Sequence, residues 1–123
     1  MSEAAIQQQI RVALGQRDDV MLIRINVGKF RPLHGDQNRV IVSAPPGTPD
    51  LLGVWDGKAL AIEVKRTKGQ QSYEQKMFQR AWQARGGIYI LARSVDDVLS
   101  VIDSEQCDVH QPDQRDVADE NPQ

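Results

Sequence analysis

Cysteine is almost missing from this chain of 123 residues; Cys107 is the only one. That excludes an internal disulfide and a thiolate zinc cluster. No apolar run is long enough to span a membrane. The opening residues, MSEAAIQQQI, lack the basic and apolar regions of a signal peptide. These absences make the cytosol the simplest compartment. Charge of one sign is not in excess either: the net charge of −2 argues at first against a nucleic-acid partner. What is present is 40% hydrophobic and 26% charged residues. That composition and length fit one soluble globular domain and exclude a fully disordered chain.

The charge average hides a split. Residues 103–123 carry seven acids against the single base Arg115, whereas the first 102 residues hold 14 bases and 10 acids. A basic body at +4 therefore precedes an acidic segment at −6. Such asymmetry points toward nucleic acid, or simply toward a solubilising tail. The tail has few large apolar residues and no sustained period, so residues 1–102 are expected to form the domain and 103–123 a disordered tail.

Ser2 can cap a first helix with Ile6, Ile10, Ala13 and Leu14 on one stripe, ending near Gln16. Residues 20–27 alternate Met21, Ile23, Ile25 and Val27 with Arg24 and Asn26, as a strand does. A Gly/Pro-punctuated loop follows, and residues 39–44 read as a short strand or as the loop's returning arm. Residues 45–50, PPGTPD, make a rigid turn. Leu51 to Trp55 and Lys58 to Arg66 form strands joined by an Asp56-Gly57 hairpin turn. Ser72 opens a second long helix that Gly86-Gly87 stop. Residues 88–92, IYILA, read as a strand deep in a sheet, and Ser94 caps a last helix carrying Val95, Val98, Leu99 and Ile102. The order α-β-β-β-α-β-α predicts an α/β fold with a mixed central sheet flanked by helices.

The strand from Lys58 to Arg66 places Leu60, Ile62 and Val64 on one face and Ala59, Ala61, Glu63 and Lys65 on the other. A buried Glu and Lys on a central strand are costly unless they pair or bind something. A simple Glu63–Lys65 ion pair would meet that need. Asp50 shifts the balance, because counting back from the hairpin puts it level with Glu63 and Lys65. Two carboxylates and an ammonium then meet at one end of a sheet. Two hard oxygen ligands suit Mg²⁺ or Mn²⁺, and the lysine can polarise an attacking water or neutralise phosphate charge. Taken alone, Asp50 could equally be a turn carboxylate accepting backbone N–H bonds.

Gly47-Thr48-Pro49-Asp50, a hairpin and then Glu63-Val64-Lys65 resemble the PD-(D/E)XK nuclease superfamily. Adding Leu51, Ile62, Ser72, Gln75 and Glu3 of the opening helix, the pattern resembles the VRR-NUC family, particularly its small stand-alone members from bacteria and phages. The resemblance spans residues 2–102. It implies a restriction-endonuclease-like αβββαβ core plus a C-terminal helix, in a bacterial or phage-encoded cytoplasmic protein. It further implies that Asp50, Glu63 and the Val64 backbone carbonyl hold the metal. Lys65 would be the catalytic lysine, Glu3 an additional ligand or one acting through water, and Gln75 the residue that positions the attacking water or a phosphate. Bland readings stand beside these: Glu3 suits any helix start, and Ser72-Tyr73-Glu74-Gln75 is also a capping box.

Lys29, Arg31, Arg39, Arg66, Lys68, Lys76 and Arg80 offer a phosphate track along which a duplex backbone could run, or form ordinary solvated faces. No element for reading base edges stands out, so shape recognition is expected. His34 and His110 lack metal-ligand spacing, and Trp55 and Trp82 suit a core or an interface. The expected function is a metal-dependent DNA endonuclease. By resemblance it would be a homodimer resolving four-way (Holliday) junctions and leaving 5′-phosphate and 3′-hydroxyl ends. A nickase or a flap or restriction-like endonuclease on non-junction DNA, and a non-catalytic nucleic-acid-binding module, are the alternatives. One site per domain and two strands to cut call for a two-fold pair, with Phe30, Leu33, Tyr73, Phe78 or Trp82 as interface candidates.

Overall fold

The computed structural model describes residues 1–27, 29–30, 33–42 and 44–109. In chain order the elements are α1 (Glu3–Gly15), β1 (Val20–Arg24), β2 (Lys29–Phe30), β3 (Ile41–Val42), β4 (Leu51–Trp55), β5 (Lys58–Val64), α2 (Tyr73–Ala84), β6 (Ile88–Ala92) and α3 (Val95–Val109). Four strands form one mixed sheet in the order β1-β4-β5-β6. The first two pairings are antiparallel and the last is parallel. The parallel pair is joined through α2, the crossover that such a pair requires. β2 and β3 make a separate two-stranded ribbon, so residues 39–44 hold a short strand outside the main sheet.

Burial explains the arrangement. Ile6, Ile10 and Leu14 come from α1, and Val98 and Ile102 from α3. They close over Leu51, Trp55, Leu60, Ile62, Val64, Ile90 and Ala92 on one sheet face. Spacings of three to four residues on the helices and two on the strands bring these side chains to one side. α2 covers the other face at β6: Phe78 stacks on Trp82 at 5.3 Å and tilts against Tyr89 at 6.4 Å. The Trp82 indole N–H donates to the Ile88 carbonyl (2.9 Å). β1 reverses the phase its alternation suggests. Val20 and Leu22 pack toward the core, while Met21 and Ile23 stand exposed.

α3 runs past residue 102, where the domain was expected to end, to Val109. Asp103 accepts a hydrogen bond from Arg17 Nη1 (3.1 Å), and Arg17 also grips Asp19. The first acid assigned to the tail is thus tied to the body, and no proline or glycine interrupts the chain before Pro112. Residues 110–123, His110 included, lie outside the described residues, as does Arg31. Among the described residues no helix is long and apolar enough to cross a membrane.

Gly53, in the middle of β4, is what lets β1 approach. A Cβ there would collide with the Met21 carbonyl oxygen. Gly53→Ala is therefore expected to cost about 3 kcal/mol or more, measured by chemical denaturation. Val54→Ala, at a half-exposed neighbour, should cost less than about 1 kcal/mol. Equal effects of the two would mean β1 is not held as described.

Candidate active site

The hairpin between β4 and β5 sets the site. Its register puts Leu51 opposite Ile62, so Asp50 falls opposite Glu63. The Val64 N–H donates to Asp50 Oδ2 (2.9 Å). In a strand the N–H and C=O of one residue face the same edge, so the Val64 carbonyl also faces the side where Asp50 sits. The turn before Asp50 is braced twice. Thr48 donates through both its N–H and its hydroxyl to the Pro45 carbonyl. Gly47 has φ +93°, and a methyl there would lie 2.5 Å from the Glu74 carbonyl oxygen. The loop carrying Asp50 is thus pressed directly onto the first turn of α2.

That turn delivers Gln75. Its Oε1 accepts the Ser72 N–H (2.9 Å) while its own N–H donates to Ser72 Oγ (3.2 Å), a complete capping box. With Oε1 so engaged, Nε2 points away from the helix and donates to Glu63 Oε2 (3.2 Å). The capping and site readings of Gln75 are one geometry. Lys65 Nζ lies 3.6 Å from the same Glu63 oxygen. Glu3, capped into α1 by Ser2, accepts the Arg66 N–H through Oε2 (3.3 Å). It also borders a cavity of about 390 Å³ with Ser2, Lys65, Arg66, Gly69 and Gln70.

Glu63 is the unusual group. It is 3% exposed, and its second oxygen, Oε1, is buried without a hydrogen-bond partner. Burial, and then the Asp50 charge, push its carboxyl from the ordinary 4.5 up to about 8, with Lys65 pulling the other way. Among the described residues, no group of three or more His, Cys, Asp and Glu side chains gathers to hold a metal. Glu63 Oε1, Asp50 and the Val64 carbonyl nevertheless make an all-oxygen donor set with one orphaned lone-pair site, which fits a hard dication such as Mg²⁺ or Mn²⁺.

Of the basic residues, Arg66 and Lys68 adjoin the site; both border a second cavity of about 430 Å³. Arg39, Lys76 and Arg80 are exposed and border neither cavity. Lys29 begins β2, where it pairs with Val42. His34 is exposed, and Trp55 is fully buried.

Arg93 was not legible as a site residue. Its Nη1 donates to the carbonyls of Arg66 (2.7 Å), Thr67 (3.2 Å) and Gly69 (2.7 Å). It gathers the loop that follows Lys65 from one side while Glu3 holds it from the other. An arginine directly after a buried strand, at the sheet end that carries the acids, is the only signal the sequence offers. No known protein family and no curated protein matches this chain.

The raised Glu63 carboxyl has a signed consequence for metal-free protein. Below about pH 4.5 the folded and unfolded chains are both protonated, and nothing is lost. Between 4.5 and 8 the unfolded chain releases the proton first, so stability falls as pH rises, then levels off. Denaturation in EDTA across this range should show the fall, and Glu63→Gln should flatten it. An identical slope in both proteins would assign the pH dependence elsewhere.

Proposed function

We propose that this chain is a metal-dependent DNA endonuclease, with Asp50, Glu63, Lys65 and Gln75 as its reacting centre. The observation that carries this reading is the Glu63 carboxylate. It is buried against a second acid, touched by Lys65 and Gln75 on one oxygen and left unsatisfied on the other. An ion pair with Lys65 accounts for one oxygen and leaves Oε1 unexplained, and a non-catalytic binding module has no use for two carboxylates facing a phosphate. Helix–strand order and the mixed four-stranded sheet support the restriction-endonuclease-like core that the sequence resemblance implies.

Asp50, Glu63 and the Val64 carbonyl would hold a Mg²⁺ or Mn²⁺ ion, which supplies Lewis-acid polarisation of the phosphate and a more acidic water. Gln75 holds Glu63 through Oε2, which leaves Oε1 as the oxygen that would take the metal. Lys65 brings a compact ammonium to the same place, where it offsets the negative charge that grows on the phosphate as water attacks phosphorus. The bond from phosphorus to the 3′-oxygen breaks, leaving 5′-phosphate and 3′-hydroxyl ends. Glu3 and Arg93 hold the loop of Arg66 and Lys68, two cations beside the site available to flanking phosphates. With no base-reading element among the described residues, substrate choice would rest on shape, and a four-way junction cut on opposed strands by a homodimer is the preferred substrate.

Labelled junction, flap, duplex and single-stranded DNA, incubated with Mg²⁺ or Mn²⁺, test the assignment. Cleavage should need the metal and favour the junction. Lys65→Ala should still bind DNA but cut at least ~100-fold more slowly, with Lys65→Arg restoring it only in part. Near-wild-type cutting by Lys65→Ala would remove the lysine from the mechanism. No cutting of any substrate would defeat the nuclease reading, and flap or duplex cut as fast as junction would defeat only the junction.

A further inference from the structure

Among the described residues the main sheet ends at β1, with no strand bonded to its outer edge. The Ile25 N–H donates to the Asp50 carbonyl, and the Asp56 N–H to the Asp19 carbonyl, each at 2.8 Å. Odd-numbered residues therefore turn their backbone groups toward β4. Val20, Leu22 and Arg24 turn theirs outward. Natural edges of this kind are usually blunted by proline, lysine or a bulge. The sequence of β1, VMLIR, has neither residue and pairs with β4 in unbroken register. It also leaves Met21 68% and Ile23 53% exposed, with half-exposed Val54 alongside on β4. Behind the edge, exposed Val12 of α1 joins Leu22, Gln8, Arg11 and Gly15 around a cavity of about 300 Å³.

We propose that this edge binds a second copy of the same chain, β1 against β1 in antiparallel register about Leu22. The parity fits, because this register pairs Leu22 with Leu22 and Val20 with the partner's Arg24, the residues whose N–H and C=O point outward. Met21 then faces the partner's Ile23, and Ile23 the partner's Met21, so both exposed apolar side chains become cross-strand neighbours. Arg24 lies opposite the partner's Val20, two residues from Asp18 in the turn that leads into β1. Asp18 and Arg24 are exposed, and among the described residues neither has an ion-pair partner. The strand is self-complementary in hydrogen bonding, apolar contact and charge, as an isologous interface requires. Five paired residues alone bury too little for a stable dimer, which needs at least roughly 1,000 Å². Val12 and Val54 widen the contact on either side.

The product is one eight-stranded sheet with its two-fold axis normal to the sheet. Both Glu63 residues open on the same face, as two coordinated cuts would need. That consequence rests on the endonuclease reading; the pairing itself does not.

Sedimentation of the full chain at micromolar concentration should show a dimer. Ile23→Lys, at a half-exposed position, should leave the protomer's circular dichroism unchanged while weakening the dimer at least ~100-fold. Asp18→Arg and Arg24→Asp should each weaken it, and the double swap should restore most of the loss. A monomeric full chain, an unshifted Ile23→Lys dimer, or no rescue by the swap would overturn the proposal. A dimer that cuts nothing would sink the nuclease reading and keep the interface, and a monomer that cuts would do the reverse.

Discussion

Asp50 and Glu63 are forced together where neither carboxylate would choose to be. The β4–β5 register sets them opposite each other, and the sheet and α2 exclude water from Glu63. Like charges in a poorly solvated place disfavour ionisation, which is why the Glu63 carboxyl rises to about 8. Much of the surrounding structure serves to keep this unfavourable pair in position. The Val64 N–H fixes Asp50, and Gln75 and Lys65 share one Glu63 oxygen. The other oxygen accepts no hydrogen bond from a protein donor, and the Asp50 carboxyl is close enough to share a proton with Glu63. A fold that tolerates such an arrangement has a reason to keep it, and a bound dication supplies one by turning mutual repulsion into shared attraction.

The supports are backbone devices more than side-chain packing. Gly47 presses the Asp50 turn onto α2, so the turn and the helix start cannot move independently. The capping box on Ser72 that begins α2 also aims Gln75. Arg93 collects three carbonyls that would otherwise face solvent or one another, and so shapes the basic loop beside Lys65. Each device couples the chemistry of the site to the formation of a secondary-structure element.

The elements that position the site were legible because short-range patterns specify them. The Asp56-Gly57 turn fixes the hairpin, and the hairpin fixes the register, so Asp50 could be placed level with Glu63 by counting. The Ser72–Gln75 spacing marked the start of α2. What escaped depends on long-range contact. The apolar alternation of β1 gave a strand but not which face would be covered, since that is decided by where α1 lands. Arg93 reaches residues more than twenty positions earlier, and no local pattern records that. The end of α3 was placed at the last large apolar residue of its stripe. The Arg17–Asp103 contact ties the residue just beyond that point to the body. Of the basic residues expected to offer a phosphate track, Arg66 and Lys68 adjoin the site through sequence proximity to Lys65, whereas Arg39, Lys76 and Arg80 stand exposed and border neither cavity beside it.

The claim on which the rest depends is that Asp50 and Glu63 together hold a dication. Calorimetric titration of Mn²⁺ into the full chain near pH 7, repeated in buffers of different ionisation enthalpy, measures both affinity and protons released. Because Glu63 holds its proton at that pH when metal-free, binding should expel about one proton per ion. Asp50→Asn should lose most of the binding along with the release. Binding without proton release, or the same affinity and proton count in Asp50→Asn, would contradict a metal shared by these two carboxylates.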